Sequence, residues 1–167
     1  MKLLSIAAAA LLLLGTLRAE PPEATGDVTT TMSGELIVHV SFLTSASPTK
    51  LWRALTNRDE LARWAAKRAV VDLKPGGAYE YLYWPNNPAG RRGMEGNKIL
   101  SYVPNKMLTH TGGLPDTWVV WTIEPAGDQQ VVHYYGVGTS PEWLEQGGGR
   151  LNSVTELVQK LANYVQP

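Results

Sequence analysis

Apolar and polar positions alternate through most of the chain from residue 35 to residue 137, which predicts a series of β-strands. In the first of these segments Leu36, Val38, Val40 and Phe42 share one side, and Ile37, His39 and Ser41 share the other. Short segments rich in Gly, Pro, Asn and Asp separate the strands at intervals of about ten residues, as in an antiparallel meander. The predicted strands cover residues 35–44, 69–73, 78–84, 97–103, 106–112, 117–124 and 130–137.

The pattern changes to helical spacing directly after the first strand. Ser47 is a candidate N-cap with Pro48 at the first helical position, and Leu51, Trp52 and Leu55 follow at helical intervals. Thr56 or Asn57 then ends this helix and caps a second one that carries Leu61 and Trp64. We therefore expect two short helices between the first and second predicted strands.

A longer amphipathic helix is predicted at the end of the chain. Ser140, Pro141 and Glu142 form a capping sequence. An apolar stripe follows at Leu151, Val154, Leu157, Val158, Leu161 and Val165. Gly147, Gly148 and Gly149 interrupt this helix, and because glycine disfavours helix interiors we expect a bend or a new helix start near Arg150.

Several local motifs resemble those of one superfamily. The stretch SPTKLWRALTNRDELARW, with Pro48, Leu51-Trp52, Ala54-Leu55-Thr56 and Trp64, resembles the entry helices of START-like (SRPBCC) proteins. Within the superfamily, it is similar to the branch named for activators of the heat-shock chaperone ATPase. DLKPGGAYEY and GNKILSYVPNKMLTHT resemble the downstream strands of the branch, so the likeness covers roughly residues 35–165.

The resemblance implies an α+β helix-grip fold of the Bet v-like or START-like kind. In this fold a curved antiparallel sheet, with two short helices after its first strand, wraps around a long C-terminal helix. Such domains often hold a small molecule between the sheet and that helix. The chain departs from its relatives where many of them carry a Gly-Trp pair in the last helix, because the equivalent stretch here is Gly147-Gly148-Gly149-Arg150.

The first residues are typical of an export signal. One cation, Lys2, precedes an apolar segment over residues 3–14, which is shorter than the ~20 residues of a membrane-spanning helix. We expect a signal peptide over residues 1–19 with cleavage after Ala19, a flexible leader over 20–34 and one START-like domain over 35–167. The alternative is that the first segment is retained as an amphipathic anchor.

Charge and composition limit the classes of partner. Without residues 1–19 the chain keeps 13 of its 15 basic residues and all 15 acidic ones, a formal charge of about −2. This balance does not suit nucleic acid, which requires many cations to neutralise phosphates. We expect no integral membrane span in the mature protein, and a monomer. No cysteine is present, so stability must come from an ordinary core.

Familiar catalytic and metal-binding motifs are missing from the sequence. His39, His110 and His133 do not have metal-ligand spacing, no G-x-S-x-G motif occurs, and Gly76-Gly77 is the turn between two strands. We expect no metal, no cofactor and no assigned catalytic residue. His110 and His133 lie in neighbouring predicted strands and could approach each other. Arg91-Arg92 is either a solvated loop or a cationic gate at a cavity mouth.

The aromatic residues suggest a ligand-binding cavity. Six tryptophans and seven tyrosines accompany a single phenylalanine, so most rings carry a polar group that requires a partner when buried. Large apolar surfaces with a few polar groups are typical of small-molecule sites. The predicted ligand-binding residues are Trp64, Tyr79, Tyr81, Tyr83, Trp121, Tyr134 and Leu157. An ordinary aromatic core would leave the same pattern, and both interpretations remain open.

The sequence thus indicates an exported, cofactor-free START-like domain that binds a small hydrophobic or amphipathic ligand between sheet and helix. One alternative is an enzyme resembling the polyketide cyclases/dehydratases or hydrolases of the superfamily, with Tyr81, His110 and Glu80 as acid–base candidates. The other is a module that activates a chaperone ATPase. Export disfavours it, because an ATP-dependent cytosolic chaperone is not present outside the inner membrane.

Overall fold

The computed structural model describes residues 22–139, 141–145 and 147–166, and the side chains of residues 141, 144 and 147–149 are not considered. The predicted signal peptide and Ser140 therefore lie outside the described residues. The described strands are β1 (Thr25–Thr30), β2 (Leu36–Thr44), β3 (Arg68–Val71), β4 (Tyr79–Leu82), β5 (Gly93–Met94), β6 (Ile99–Val103), β7 (Met107–Thr111), β8 (Thr117–Ala126) and β9 (Gln129–Gly138). The described helices are α1 (Pro48–Thr56), α2 (Arg58–Trp64), α3 (Pro141–Glu145) and α4 (Gly147–Tyr164).

Six strands form the large sheet in the order β1-β2-β9-β8-β7-β6, and all neighbouring pairs are antiparallel. The strands β6 to β9 are the predicted meander, and β2 returns beside β9. A second sheet holds β3, β4 and β5. The helix-grip fold is confirmed, with the refinement that β3 and β4 pair in their own small sheet.

The predicted caps of the first two helices are confirmed. The Ser47 hydroxyl accepts a hydrogen bond from the backbone N–H of Lys50, with Pro48 at the start of α1. The Asn57 side chain ends α1 and accepts from the backbone N–H groups of Asp59 and Glu60 at 2.9 and 3.1 Å. Local sequence is therefore sufficient to set these boundaries.

Residues 20–34 are not simply a leader, which corrects the sequence-based expectation. Thr25–Thr30 forms β1 and pairs with β2 from Thr25–Ser41 to Thr30–Leu36. Nearer the N-terminus, the Ala24 N–H donates to Gln159 Oε1 on α4, and Gln159 Nε2 donates to the Pro22 carbonyl. The sequence pattern did not predict β1, because this strand is mostly exposed and its polar side chains show no buried apolar face.

The core lies between the concave face of the large sheet and the helices. As the alternation predicts, Leu36, Val38, Val40 and Phe42 of β2 are buried on this face. The buried residues Val154, Val158 and Leu161 of α4, and Val165 directly after it, pack against this face. The last helical region is described as α3, to Glu145, and α4, from Gly147, so the three glycines lie in helical backbone before the expected restart near Arg150.

Candidate functional site

A cavity of about 450 Å³ lies between the concave face of the large sheet and the N-terminal half of α4. We name it the interlayer cavity. This volume is within the range of small-molecule sites. The strands of the two sheets and their loops contribute Tyr83, Met94, Gly112, Gly113, Leu114, Thr117, Trp118, Val119 and Tyr134, and the helices and their ends contribute Ala65, Trp143, Arg150, Ser153, Val154, Glu156, Leu157 and Lys160.

Trp143 of α3 forms one wall of the interlayer cavity by lying flat against β9. The indole is buried, and its Nε1 donates to the Leu36 carbonyl at 3.0 Å. A Cβ atom on Gly138 would stand 2.8 Å from the indole Cγ, and one on Gly136 would stand 3.0 Å from its Cη2. The two glycines therefore create the space that the indole occupies.

Sequence reasoning missed Trp143, although a signal for it was present. Gly136 and Gly138 occupy two successive positions on one face of a strand, which indicates a close approach by another group. No tryptophan lies at the Gly147–Arg150 stretch, and in this chain an indole reaches the cavity from the preceding helix instead.

The charged groups of the interlayer cavity lie on α4. Arg150 of α4 lies over the Trp143 ring, with its guanidinium carbon 5.7 Å from the ring centroid. Burial raises the pKa of Tyr134, while the nearby charge of Arg150 acts in the opposite direction. Glu156 and Lys160 are exposed at the helix surface. The cavity thus combines apolar walls with one half-buried cation.

Three of the seven predicted ligand-binding residues line the interlayer cavity: Tyr83, Tyr134 and Leu157. The Tyr83 hydroxyl lies 3.6 Å from Met94 Sδ, and burial raises its pKa. Contact with a ligand stays a prediction for all three.

The other four predicted residues lie outside the cavity lining and form the packed core behind it. Trp64 contacts Trp121 edge-on, with 6.5 Å between ring centroids, and its Nε1 donates to the Ala54 carbonyl. Trp121 packs edge-on against Tyr134 with a centroid distance of 4.9 Å. These indoles therefore support the wall of the cavity.

Tyr79 and Tyr81 point inward, as the family resemblance implies, but their hydroxyls form hydrogen bonds within the core. The Tyr79 hydroxyl donates to the Leu55 carbonyl at 2.7 Å, and the Tyr81 hydroxyl donates to the Tyr79 oxygen at 3.1 Å. Both side chains are at most 2% exposed. Burial raises the pKa of both hydroxyls, so they remain neutral donors.

The acid–base candidates do not meet in the interlayer cavity. His110 is 1% exposed and packs against Tyr79 with 4.5 Å between ring centroids. Its Nδ1 lies 2.8 Å from the Thr111 carbonyl oxygen, and burial lowers its pKa to about 4. Glu80 faces the other side of β4, where it accepts from the Gly96 N–H.

The hypothesis that His110 approaches His133 is wrong, because the two side chains lie on opposite faces of the sheet. His133 instead meets His39 on the outer face, where His133 Nδ1 lies 3.0 Å from His39 Nε2. The other ring nitrogen of His39 is 3.0 Å from Asp27 Oδ1. Across the described residues, no group of three or more His, Asp or Glu side chains is arranged to hold a metal ion.

The two arginines of the β4–β5 loop are not part of the cavity lining. Arg92 forms an ion pair with Glu95, with its Nε 2.6 Å from Oε1, and its backbone N–H donates to the same carboxylate. Arg91 is exposed. The cations in the described cavity lining are instead Arg150 and Lys160 of α4.

Comparison with known proteins identifies relatives of this architecture. Residues 45–166 match the family model described as activator of Hsp90 ATPase homolog 1-like protein. No curated protein is significantly similar to the chain. Within the part of the chain that the structure describes, no helix has the length and hydrophobicity needed to cross a membrane.

Solved structures share the fold. The crystal structure of CalU16 from Micromonospora echinospora is 22% identical, with a TM-score of 0.56 over 84% of this chain and 85% of that one. Protein MLL2253 from Mesorhizobium loti is 23% identical, with a TM-score of 0.62 over 77% and 95%. The Aha1 dimer from Colwellia psychrerythraea is 19% identical, with a TM-score of 0.61 over 78% and 96%.

Proposed function

Because the chain belongs to the family of activator of Hsp90 ATPase homolog 1-like proteins, we propose that it is an exported START-like domain that binds a small hydrophobic or amphipathic molecule in the interlayer cavity. The observation that carries this proposal is the cavity itself, about 450 Å³ between sheet and α4. Its walls include the apolar side chains of Val119, Trp143 and Leu157. Covering such surfaces with an apolar ligand contributes about 25 cal/mol per Å² removed from water.

Blocking the cavity tests the binding function. Replacing Leu157 with tryptophan fills space at the lining, and we expect titration calorimetry to show the loss of binding of an amphipathic ligand such as dodecanoic acid. The matched control is Leu100→Trp, because Leu100 is exposed on β6 and is not part of the lining. Equal binding by both variants would contradict the proposal.

The ligand class and export can be tested together on protein isolated from its own host. Native mass spectrometry is expected to show a monomer carrying a small co-purifying molecule that is lost on denaturation. The mass of the denatured chain is expected to correspond to a protein that begins at Glu20. A chain that retains residues 1–19 would contradict export by signal cleavage, and leave the binding proposal intact.

The enzymatic alternative has less support from the geometry. Tyr81, His110 and Glu80 lie outside the cavity lining, and the first two are buried in the core. A bound substrate in the interlayer cavity would therefore not contact these groups. The binding function is the one that the described arrangement supports best.

A further inference from the structure

Arg150 is placed where a cation is costly unless it has a partner. The residue lies in the first turn of α4 and lines the interlayer cavity, and its side chain is half-buried beneath a predominantly apolar wall. Its Nε atom is buried and has no hydrogen-bond partner among the described residues. A buried N–H of a charged group without an acceptor destabilises the unliganded protein.

Trp143 orients the guanidinium without neutralising it. The cation–π contact over the indole holds the group at the cavity wall, but an aromatic face does not accept a strong hydrogen bond from the Nε–H. None of the ion pairs among the described residues involves Arg150. The acidic side chain in the lining, Glu156, is exposed one and a half turns further along α4.

Tyr134 lines the same cavity from the sheet, close enough to Arg150 for its charge to act on the hydroxyl. The Tyr134 hydroxyl is neutral, because burial raises its pKa. An oxyanion beside Arg150 would therefore meet a charged guanidinium and, from the sheet, the neutral O–H group of Tyr134.

We infer that the ligand of the interlayer cavity is an amphipathic acid, whose anionic head group binds Arg150 and whose apolar body lies along Val119, Trp143 and Leu157. This inference rests on the proposed function and adds the chemical class of the ligand. The chemistry recognised is an oxyanion, such as a carboxylate, on an apolar body. Lys160 lies in the same lining but is exposed, so water screens its charge.

The test compares two probes that differ in the head group. Dodecanoic acid and dodecanol have the same chain, and both are titrated into the protein at neutral pH by calorimetry. We expect the acid to bind at least about 10-fold more tightly, as is typical for a charge-assisted hydrogen bond in a partly dry site. In the Arg150→Met variant, the affinity for the acid is expected to fall to that for the alcohol, while alcohol binding stays unchanged.

Three further variants make the result specific. Methionine keeps the stem that packs on Trp143, and unchanged alcohol binding shows that the cavity is intact. Arg150→Lys is expected to keep part of the preference for the acid, whereas Lys160→Met and Arg91→Met are expected to keep all of it. Arg91 is an exposed loop arginine outside the lining.

Each other outcome overturns the inference. Equal affinity of the original protein for acid and alcohol removes the head-group preference while the proposed binding function stands. A preference that survives in Arg150→Met, or that is lost in Lys160→Met, assigns the head group elsewhere. If neither probe binds the original protein, this inference fails and the proposed binding of small amphipathic molecules loses support as well.

Discussion

At the scale of single residues, His110 is an ionisable group kept neutral by the core. Its Nδ1 faces the Thr111 carbonyl, which only accepts hydrogen bonds, so Nδ1 carries the proton in the neutral ring. The other nitrogen, Nε2, is buried without a hydrogen-bond partner among the described residues. Protonating the ring would place a charge beside Tyr79 in a dry environment, which explains why the pKa of His110 falls to about 4.

The stability of the protein should therefore decrease in acid. The pKa of His110 is lower in the folded protein than the ordinary value of 6.5, so the unfolded chain binds the proton first as the pH falls. From pH 6.5 to pH 4 we expect the free energy of unfolding to decrease by up to about 3 kcal/mol from this residue alone. Urea denaturation at a series of pH values measures the decrease.

Replacing His110 with asparagine separates this contribution from those of the carboxylates. Asparagine keeps a donor near the Thr111 carbonyl but does not titrate, so the pH dependence of stability should become flatter between pH 4 and pH 6.5. His133→Gln is the control. His133 lies on the outer face of the sheet and is only partly buried, so we expect the pKa that burial lowers there to contribute less to the pH dependence of stability. An unchanged pH profile in His110→Asn would contradict the assignment.

At the scale of elements, the contact between β9 and α3 shapes the interlayer cavity. Gly138 pairs with Leu36 on one side and Thr117 on the other, so it lies in the middle of the large sheet. The indole of Trp143 covers it directly. The wall of the cavity thus depends on the absence of a side chain in a central strand.

Adding one methyl group at Gly138 should disturb this contact. In Gly138→Ala the new Cβ would stand 2.7 Å from Thr117 Cγ2 and 2.8 Å from the Trp143 indole. We expect the free energy of unfolding to decrease by about 1–3 kcal/mol, as for other overpacked cores. Denaturation followed by circular dichroism measures the change.

Gly113→Ala is the matched control for this substitution. Its Cβ would meet the mobile end of Met94, with Cε at 3.2 Å, so the neighbour can move aside. We expect a change below about 0.5 kcal/mol, as for most surface substitutions. If both alanine variants were equally stable, the proposed clash at Gly138 would be wrong.

At the scale of the whole molecule, the segment before residue 35 completes the large sheet. β1 pairs along most of β2, and residues 22–24 continue onto α4 through Gln159. Without β1, the nine residues of β2 would form an exposed sheet edge. Long apolar edge strands promote association with other chains.

Truncation tests the role of this segment. A chain that begins at residue 35 loses β1, and we expect it to be less stable by about 1–3 kcal/mol and to self-associate in analytical ultracentrifugation. A chain that begins at residue 25 is the control, since it loses the contacts to Gln159 and keeps the strand pairing. Equal stability and monomeric behaviour of both chains would show that β1 adds nothing.

Local patterns were sufficient for much of the fold. Caps at Ser47 and Asn57, the alternation in β2 and the turn at Gly76-Gly77 depend on neighbours in sequence, and the structure confirms each of them. The inward face of β2 also followed from alternation, because a shift by one residue would expose its apolar set. The strand β1 was not predicted, because almost none of its side chains are buried.

The candidate site depended on contacts between distant segments. Tyr79, Tyr81 and Tyr83 follow the same alternation, and yet only Tyr83 reaches the interlayer cavity. The Leu55 carbonyl, contributed by α1, accepts a hydrogen bond from the Tyr79 hydroxyl. The Tyr79 oxygen in turn accepts one from the Tyr81 hydroxyl. No periodicity in one strand can show which of its inward residues another element will cover.

The amino-acid sequence was enough to predict the order of strand, two short helices, meander and final helix, because strand alternation, helix caps and turn glycines act over a few residues; the START-like superfamily was indicated by the resemblance of its motifs. The placement of Trp143 against Gly138, and of Arg150 over Trp143, required the folded chain. These contacts join β9, α3 and α4, whose relative positions are set by packing between elements. The distinction between a filled core at Tyr79 and an open cavity at Tyr83 has the same physical origin.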